Sequence, residues 1–153
     1  LKGKNMKRIT SALLAVVLLA CLFCVPASAS YQTVTYFPDG SYCITTIHVY
    51  DVVQTKSARS VVEGDKDSAY FNASGDILFT LTLYGTFTYD GNIALATSAD
   101  YDYDIYDTLW SLDNGRAWCA GATALAEATF SHPLLSDVVI NTSLSCSPDG
   151  HLF

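Results

Sequence analysis

The alternating aspartates and tyrosines from Asp100 to Asp107 are the residues most suggestive of chemistry. Side chains alternate between the faces of a strand, so Asp100, Asp102 and Asp104 are predicted on one face and Tyr101, Tyr103 and Ile105 on the other. Clustered carboxylates are ligands for Ca²⁺, but Ile105 stands where an EF-hand loop requires glycine. We therefore predict no metal site and interpret the aspartates as a solvated edge that opposes strand-to-strand aggregation.

Groups suited to acid–base or nucleophilic catalysis are sparse. The sequence has no Gly-x-Ser-x-Gly elbow, no His-Glu-x-x-His and no glycine-rich phosphate loop. Of the three histidines, His48 lies in a predicted strand, where a hydrogen-bonded or solvent-facing role is expected, and His132 and His151 lie in a loop and the tail. A glycosidase pair of Glu63 and Glu127 would require their carboxyl groups to be about 5–10 Å apart. We predict no catalytic residue, no cofactor and no enzymatic activity.

Cysteines suggest one covalent bond. Cys43, Cys119 and Cys146 follow the segment predicted to be removed on export, so one disulfide and one thiol are expected. Cys119 and Cys146 lie on strands predicted to be consecutive and antiparallel, joined by the loop Ser131 to Asp137. We therefore predict a Cys119–Cys146 disulfide, with a Cys43–Cys146 bond as the alternative.

The N-terminal residues are typical of a signal peptide. A basic start at Met6-Lys7-Arg8 precedes an apolar run from Ile9 to Val25 and the small-residue pattern Ala27-Ser28-Ala29. We predict extra upstream residues at 1–5, a signal peptide at 6–29 and cleavage between Ala29 and Ser30. The domain then comprises residues 30–153, with no membrane span after processing.

A lipid anchor is the alternative location. Leu18-Leu19-Ala20-Cys21 resembles a bacterial lipobox, in which Cys21 would be lipidated and become the mature N-terminus. The primary expectation is a secreted protein, because a better cleavage site follows a few residues later.

The predicted mature chain is strongly acidic. The whole sequence has eight Lys and Arg against fifteen Asp and Glu, a net charge of −7. Four of the cations precede Ser30, so four remain against all fifteen acids, a net charge of −11. This charge repels phosphate backbones and anionic lipid headgroups, which excludes nucleic-acid binding and a membrane-surface role.

Alternating hydrophobicity with regular turns predicts an all-β domain. Strands are expected at Tyr31–Phe37, Tyr42–Val53, Ser68–Asn72, Ile77–Tyr84, Thr86–Tyr89, Tyr101–Trp110, Arg116–Phe130 and Val138–Cys146. Gln54–Asp67 is expected to be a polar loop, with a short edge strand at Arg59–Val62 as an alternative for part of it. A helix at Arg116–Phe130 is the alternative, because alanine favours helices. The fold class is an antiparallel β-sandwich, immunoglobulin-like or similar, with a small β-barrel as the alternative.

Two sets of apolar residues are assigned to the core. Trp110 and Trp118 have the chemistry to stack on sugar rings, but sandwiches commonly bury tryptophan, and we expect both inside. The clearest alternation lies between Ile77 and Tyr89. Its predicted inward residues are Ile77, Phe79, Leu81, Leu83, Phe87 and Tyr89.

Three segments of this chain resemble a group of small secreted proteins of unknown function from Gram-positive gut bacteria. They are GDILFTLTLYGTFTYDG (Gly75 to Gly91), the Trp110 segment and LSCSPDGHL (Leu144 to Leu152). The resemblance implies a single all-β domain outside the cell and no activity. In that group a cysteine often follows the hairpin and could pair with the terminal one, whereas Ile93 to Thr97 contains none here.

These observations together predict a secreted, monomeric, non-catalytic domain that acts by binding or structural interaction. The expected partner is an extracellular protein or glycan. A secreted glycan hydrolase and a small inhibitor or toxin-like effector are the alternatives.

Overall fold

The computed structural model describes residues 31–50 and 59–153, and its regular elements are all strands. β-branched and aromatic residues fill these segments, and Gly, Asp and Asn occupy the turns between them. The strands are β1 (Tyr31–Tyr36), β2 (Tyr42–Val49), β3 (Ser60–Phe71), β4 (Ile77–Tyr89), β5 (Ala94–Ile105), β6 (Ser111–Ala120), β7 (Thr123–His132) and β8 (Leu135–Ser145).

The strands form two antiparallel meanders, in which each strand pairs with the next one along the chain. One sheet has the order β1-β2-β3-β4-β5 and the other the order β6-β7-β8. The sheets stay open and pack face to face, so the predicted antiparallel sandwich is confirmed and the alternative of a closed barrel is not adopted. None of the described residues belongs to a helix long and apolar enough to cross a membrane.

The core lies between the sheets, where the predicted face of β4 is buried. Phe79, Leu81, Leu83 and Phe87 are fully buried, as the alternation predicted, because they face the second sheet. The remaining two predicted core residues of β4, at its ends, are only partly buried. From β7 and β8 the second sheet adds Ala124, Ala126, Ala128, Phe130, Ile140 and Leu144.

Three elements differ from the prediction. The strand expected at Tyr101–Trp110 is β5, which begins seven residues and ends five residues earlier. The segment Gln54–Asp67 was expected to be a loop, with a short edge strand at Arg59–Val62 as an alternative; its residues 54–58 lie outside the described residues. From Ser60 onward it forms the first half of β3, a longer strand that lies between β2 and β4 rather than at an edge. Arg116–Phe130 is extended, as expected, but it is a hairpin rather than one long strand. The chain reverses at Gly121, whose φ of +59° is a conformation that glycine adopts readily.

The unequal sizes of the sheets leave part of the larger one uncovered. β8 is the edge of the smaller sheet and lies over β3, to which the Lys66 ammonium links it by donating to the Ser143 carbonyl at 2.8 Å. The faces of β1 and β2 that point toward the core side therefore extend beyond β8. These overhanging faces form the floor of a groove beside β8.

Candidate functional site

The cysteine pair predicted from the sequence is not brought together. The structure leaves Cys43, Cys119 and Cys146 unbonded. Because Arg116–Phe130 is a hairpin, β7 lies between the β6 strand of Cys119 and the β8 edge near Cys146. Two strand spacings amount to about 9–10 Å, beyond the roughly 7 Å that a disulfide spans between Cα atoms.

The glutamates proposed as a hydrolase pair diverge. Glu63 on β3 points away from the core on the larger sheet, because its neighbours Val62 and Gly64 face inward. Glu127 points away from the core on the smaller sheet and pairs with Arg116 at 3.2 Å. The two carboxylates therefore lie on opposite outer surfaces of the sandwich.

The two tryptophans occupy different environments. Trp110 is buried as predicted, with its ring centroid 5.0 Å from that of Phe79. Trp118 was expected in the core but is 37% exposed on β6. The Arg116 guanidinium lies over its ring at 4.7 Å, a cation–π contact that already occupies one ring face.

The predicted faces of the aspartate–tyrosine strand are confirmed on β5. Asp100, Asp102 and Asp104 point to the outer surface of the larger sheet, while Tyr101 packs against the core between the sheets. The aspartates align across β4 with two carboxylates of β3, since Thr82 pairs with both Asp67 and Asp102.

An unforeseen polar cluster lies on this outer surface, and we call His48, Tyr50, Asp65 and Asp67 the outer-face cluster. His48 and Asp65 are direct cross-strand partners on β2 and β3. The His48 Nδ1 atom lies 2.9 Å from Asp65 Oδ2 and 3.6 Å from Asp67 Oδ2. The Tyr50 hydroxyl donates to Asp65 Oδ1, and the Thr82 hydroxyl donates to Asp67 Oδ1 at 2.7 Å.

Burial and charge shift the proton equilibria of this cluster. Asp65 is only 2% exposed although it is on the solvent side of the sheet. Its hydrogen bond and negative charge raise the pKa of His48, whose side chain is 42% exposed, so the imidazolium form is favoured. The hydrogen bond from Tyr50 to Asp65, assisted by burial, raises the pKa of Tyr50 to about 12.

Both carboxylates of the cluster were missed because they lie in the segment predicted to be a loop. The available signal was a weak alternation along the strand. One face would carry Val62, Gly64, Lys66, Ser68 and Tyr70, and the other face would carry the two aspartates. His48 is hydrogen-bonded and partly solvent-facing, as expected. Cys21, Ala29 and Ser30, the predicted lipidation and cleavage positions, lie outside the described residues.

The second site is the inner groove, the cleft between the overhanging faces of β1 and β2 and the free edge of β8. At one end, Tyr31, Ile47, Val49, Leu152 and Phe153 line a largely apolar cleft of about 680 Å³. At the other end, a cleft of about 600 Å³ extends along β8. Thr33, Thr45 and Lys66 line both clefts, so they form one continuous groove.

Polar groups in the inner groove are concentrated along β8. The Thr142 hydroxyl is buried without a hydrogen-bond partner among residues 31–50 and 59–153, and its residue is 8% exposed on the groove wall. Lys66 is partly buried there, and burial lowers the pKa of its ammonium group. A buried hydroxyl without a partner is costly to the folded state.

Compared with known protein families, curated protein sequences and solved structures, this chain has no significant match.

Proposed function

We propose that this protein is a secreted, non-catalytic binding domain that holds an extended polypeptide segment of a partner protein in the inner groove. The observation that carries the proposal is the uncovered face of β1 and β2 beside the free edge of β8. Among the described strands, only β7 pairs with β8. A segment added to this edge would complete the smaller sheet and cover the overhang.

The backbone of β8 is positioned for such pairing. The Ser143 carbonyl faces the groove, since it accepts a hydrogen bond from Lys66. Backbone groups alternate between the two edges of a strand, so those of Asn141 and Val139 face the groove as well. Phe153 already pairs with Ser145 at one end of this edge, through mutual N–H to carbonyl bonds of 2.9 and 3.0 Å.

The groove floor determines which side chains the segment would present. A strand beside β8 would lie over β2, because β8 itself lies over β3 and neighbouring strands are about 4.8 Å apart. Its inward side chains would contact Ile47, Val49 and the methyl group of Thr45. Alternate positions of the ligand are therefore apolar, and the backbone supplies the remaining contacts.

The placement of the candidate carboxylates supports binding rather than glycan hydrolysis. The candidate hydrolase carboxylates lie on opposite surfaces, as described above for Glu63 and Glu127. The alternative of a glycan hydrolase has no comparable support in the geometry.

A displayed library of random ten-residue peptides, selected on the secreted protein, tests the proposal. Thr33→Arg places a long cation inside the groove, and Gln32→Arg places the same group on the opposite face of β1. Selected peptides should carry apolar residues at alternate positions. They should bind wild type and Gln32→Arg equally, and Thr33→Arg at least about tenfold more weakly, a difference of about 1.4 kcal/mol.

Amide exchange supplies an independent readout. Bound peptide should slow exchange of the Asn141 and Val139 amides, because a strand would then pair with them. Peptides that bind Thr33→Arg as tightly as wild type would refute the groove, and so would loss of binding in both variants. Self-association that Thr33→Arg abolishes would instead identify a second copy of the chain as the occupant.

The extracellular location belongs to the same proposal. The intact mass of the secreted protein should correspond to an N-terminus at Ser30. Recovery in the membrane fraction with a lipidated Cys21 would show an anchored protein instead.

A further inference from the structure

We propose that the outer-face cluster is a site for a divalent transition-metal ion of the Zn²⁺ class, bound by His48, Asp65 and Asp67. This site is distinct from the inner groove, since it lies on the opposite face of the five-stranded sheet. One ligand atom from each residue is available, and the three atoms lie within 4.8 Å of one another.

The distances suit a small ion. Zn²⁺ binds imidazole nitrogen and carboxylate oxygen at about 2.0–2.2 Å, which places two tetrahedral ligand atoms about 3.3–3.6 Å apart. His48 Nδ1 is 2.9 Å from Asp65 Oδ2 and 3.6 Å from Asp67 Oδ2. Small side-chain rotations would therefore bring all three onto one ion. The partly exposed sides of His48 and Asp67 leave the fourth position to water.

The surrounding hydrogen bonds orient both carboxylates toward the imidazole. Tyr50 engages Oδ1 of Asp65, and Thr82 engages Oδ1 of Asp67. The Oδ2 atom of each aspartate is consequently directed at His48 Nδ1. Partners of this kind hold metal ligands in place in known sites.

The charge of this face favours a cation. Asp65 is a buried carboxylate, and Asp100, Asp102 and Asp104 add negative charge from β5. Lys66 lies between Asp65 and Asp67 in the sequence, but its side chain projects from the opposite face of β3, into the groove.

The ligand types select the class of ion. An imidazole nitrogen with two carboxylate oxygens suits Zn²⁺ and its neighbours in the transition series. Calcium requires six to eight oxygen ligands, which two aspartates on adjacent positions of one strand face do not supply. The aspartates of β5 lie two strands away from those of β3 and belong to the electrostatic surroundings.

Calorimetric titration of the secreted protein with ZnCl₂, after removal of metals by chelator, tests the site. We expect binding at one ion per chain, and Co²⁺ in its place should show the visible absorption of a low-coordinate nitrogen–oxygen site. His48→Gln and Asp67→Asn should each weaken Zn²⁺ binding at least about tenfold. Asp102→Asn is the matched control, because it removes the same charge two strands away and should change the affinity less than about threefold.

Further measurements keep the outcome decisive. Circular dichroism must show that each variant is folded. Asp67→Asn is expected to fold because Asp67 is partly exposed. Cys119→Ser should leave Zn²⁺ affinity unchanged, and CaCl₂ should produce no heat of binding at millimolar concentration. Zn²⁺ binding that survives both ligand substitutions, is lost in Cys119→Ser, or is equally weakened by Asp102→Asn would overturn the site, as would absence of binding.

Discussion

Phe79 is the residue whose replacement most directly tests the assignment of the inner face of β4. It is 0% exposed and stacks on Phe130 at a centroid distance of 4.0 Å and on Tyr70 at 5.1 Å. Trp110 contacts it from a third side at 5.0 Å. Truncation to alanine therefore empties a site that both sheets enclose.

The expected loss for Phe79→Ala is about 3–5 kcal/mol, the usual cost of truncating a buried aromatic residue. We expect the upper half of this range, because aromatic contacts add about 0.5–1.5 kcal/mol beyond area burial and Phe79 makes three. Phe79→Leu should be intermediate, since it retains part of the volume. The loss expected for Phe79→Ala approaches the total stability of many domains, about 5–15 kcal/mol, so the alanine variant can fail to fold. Phe79→Leu is the milder substitution that keeps the test measurable in that case.

Urea unfolding followed by far-UV circular dichroism measures these free energies. A lower midpoint with an unchanged m-value would indicate lost stability without a change in the surface exposed on unfolding. Thr80→Ala is the control, since Thr80 is the next residue on β4 and faces outward. A loss under about 1 kcal/mol for Phe79→Ala, or one equal to that of Thr80→Ala, would refute the assignment of the faces.

Three further predictions concern single groups. In chelator, an NMR titration should give His48 a pKa above about 6.5, and Asp65→Asn should lower that pKa, whereas an unshifted pKa would contradict the ion pair. Because the folded-state pKa is raised, the contribution of this pair to stability is complete below the unfolded-state pKa and is lost as the pH rises through the folded-state pKa. Iodoacetamide should alkylate Cys119 first, since it is exposed while burial raises the pKa of Cys43 and Cys146; a blocked Cys119 under non-reducing conditions would show a disulfide after all. Acrylamide should quench Trp118 fluorescence and spare Trp110, so Trp118→Phe should remove the accessible emission, whereas unchanged quenching would place Trp118 inside.

The sandwich and the inward face of β4 were predictable because their signals are local. Phe79, Leu81, Leu83 and Phe87 alternate with threonine and tyrosine, a contrast strong enough to assign both strand and face. The same reasoning assigned Asp102 outward on β5. Each of these assignments depends only on neighbouring residues and on the period of two.

The prediction of one long strand over Arg116–Phe130 was wrong because alternate positions of this segment differ little in hydrophobicity. Alanines on β7 line the core opposite larger side chains, yet alanine gives little hydrophobic signal in a sequence. The turn at Gly121 reverses the chain, and this reversal moves Trp118 from the predicted core to the surface and inserts β7 between Cys119 and Cys146. An error at a single turn therefore changed three assignments.

The amino-acid sequence by itself determined an acidic chain with alternating strands, a buried face on β4 and an outward row of aspartates on β5. Only the tertiary structure decided that His48 meets Asp65, because that contact depends on the pairing of β2 with β3 across residues 51–58. The inner groove likewise exists because five strands pack against three. Alternation is a property of adjacent residues, whereas strand partners and sheet widths result from the packing of the whole chain.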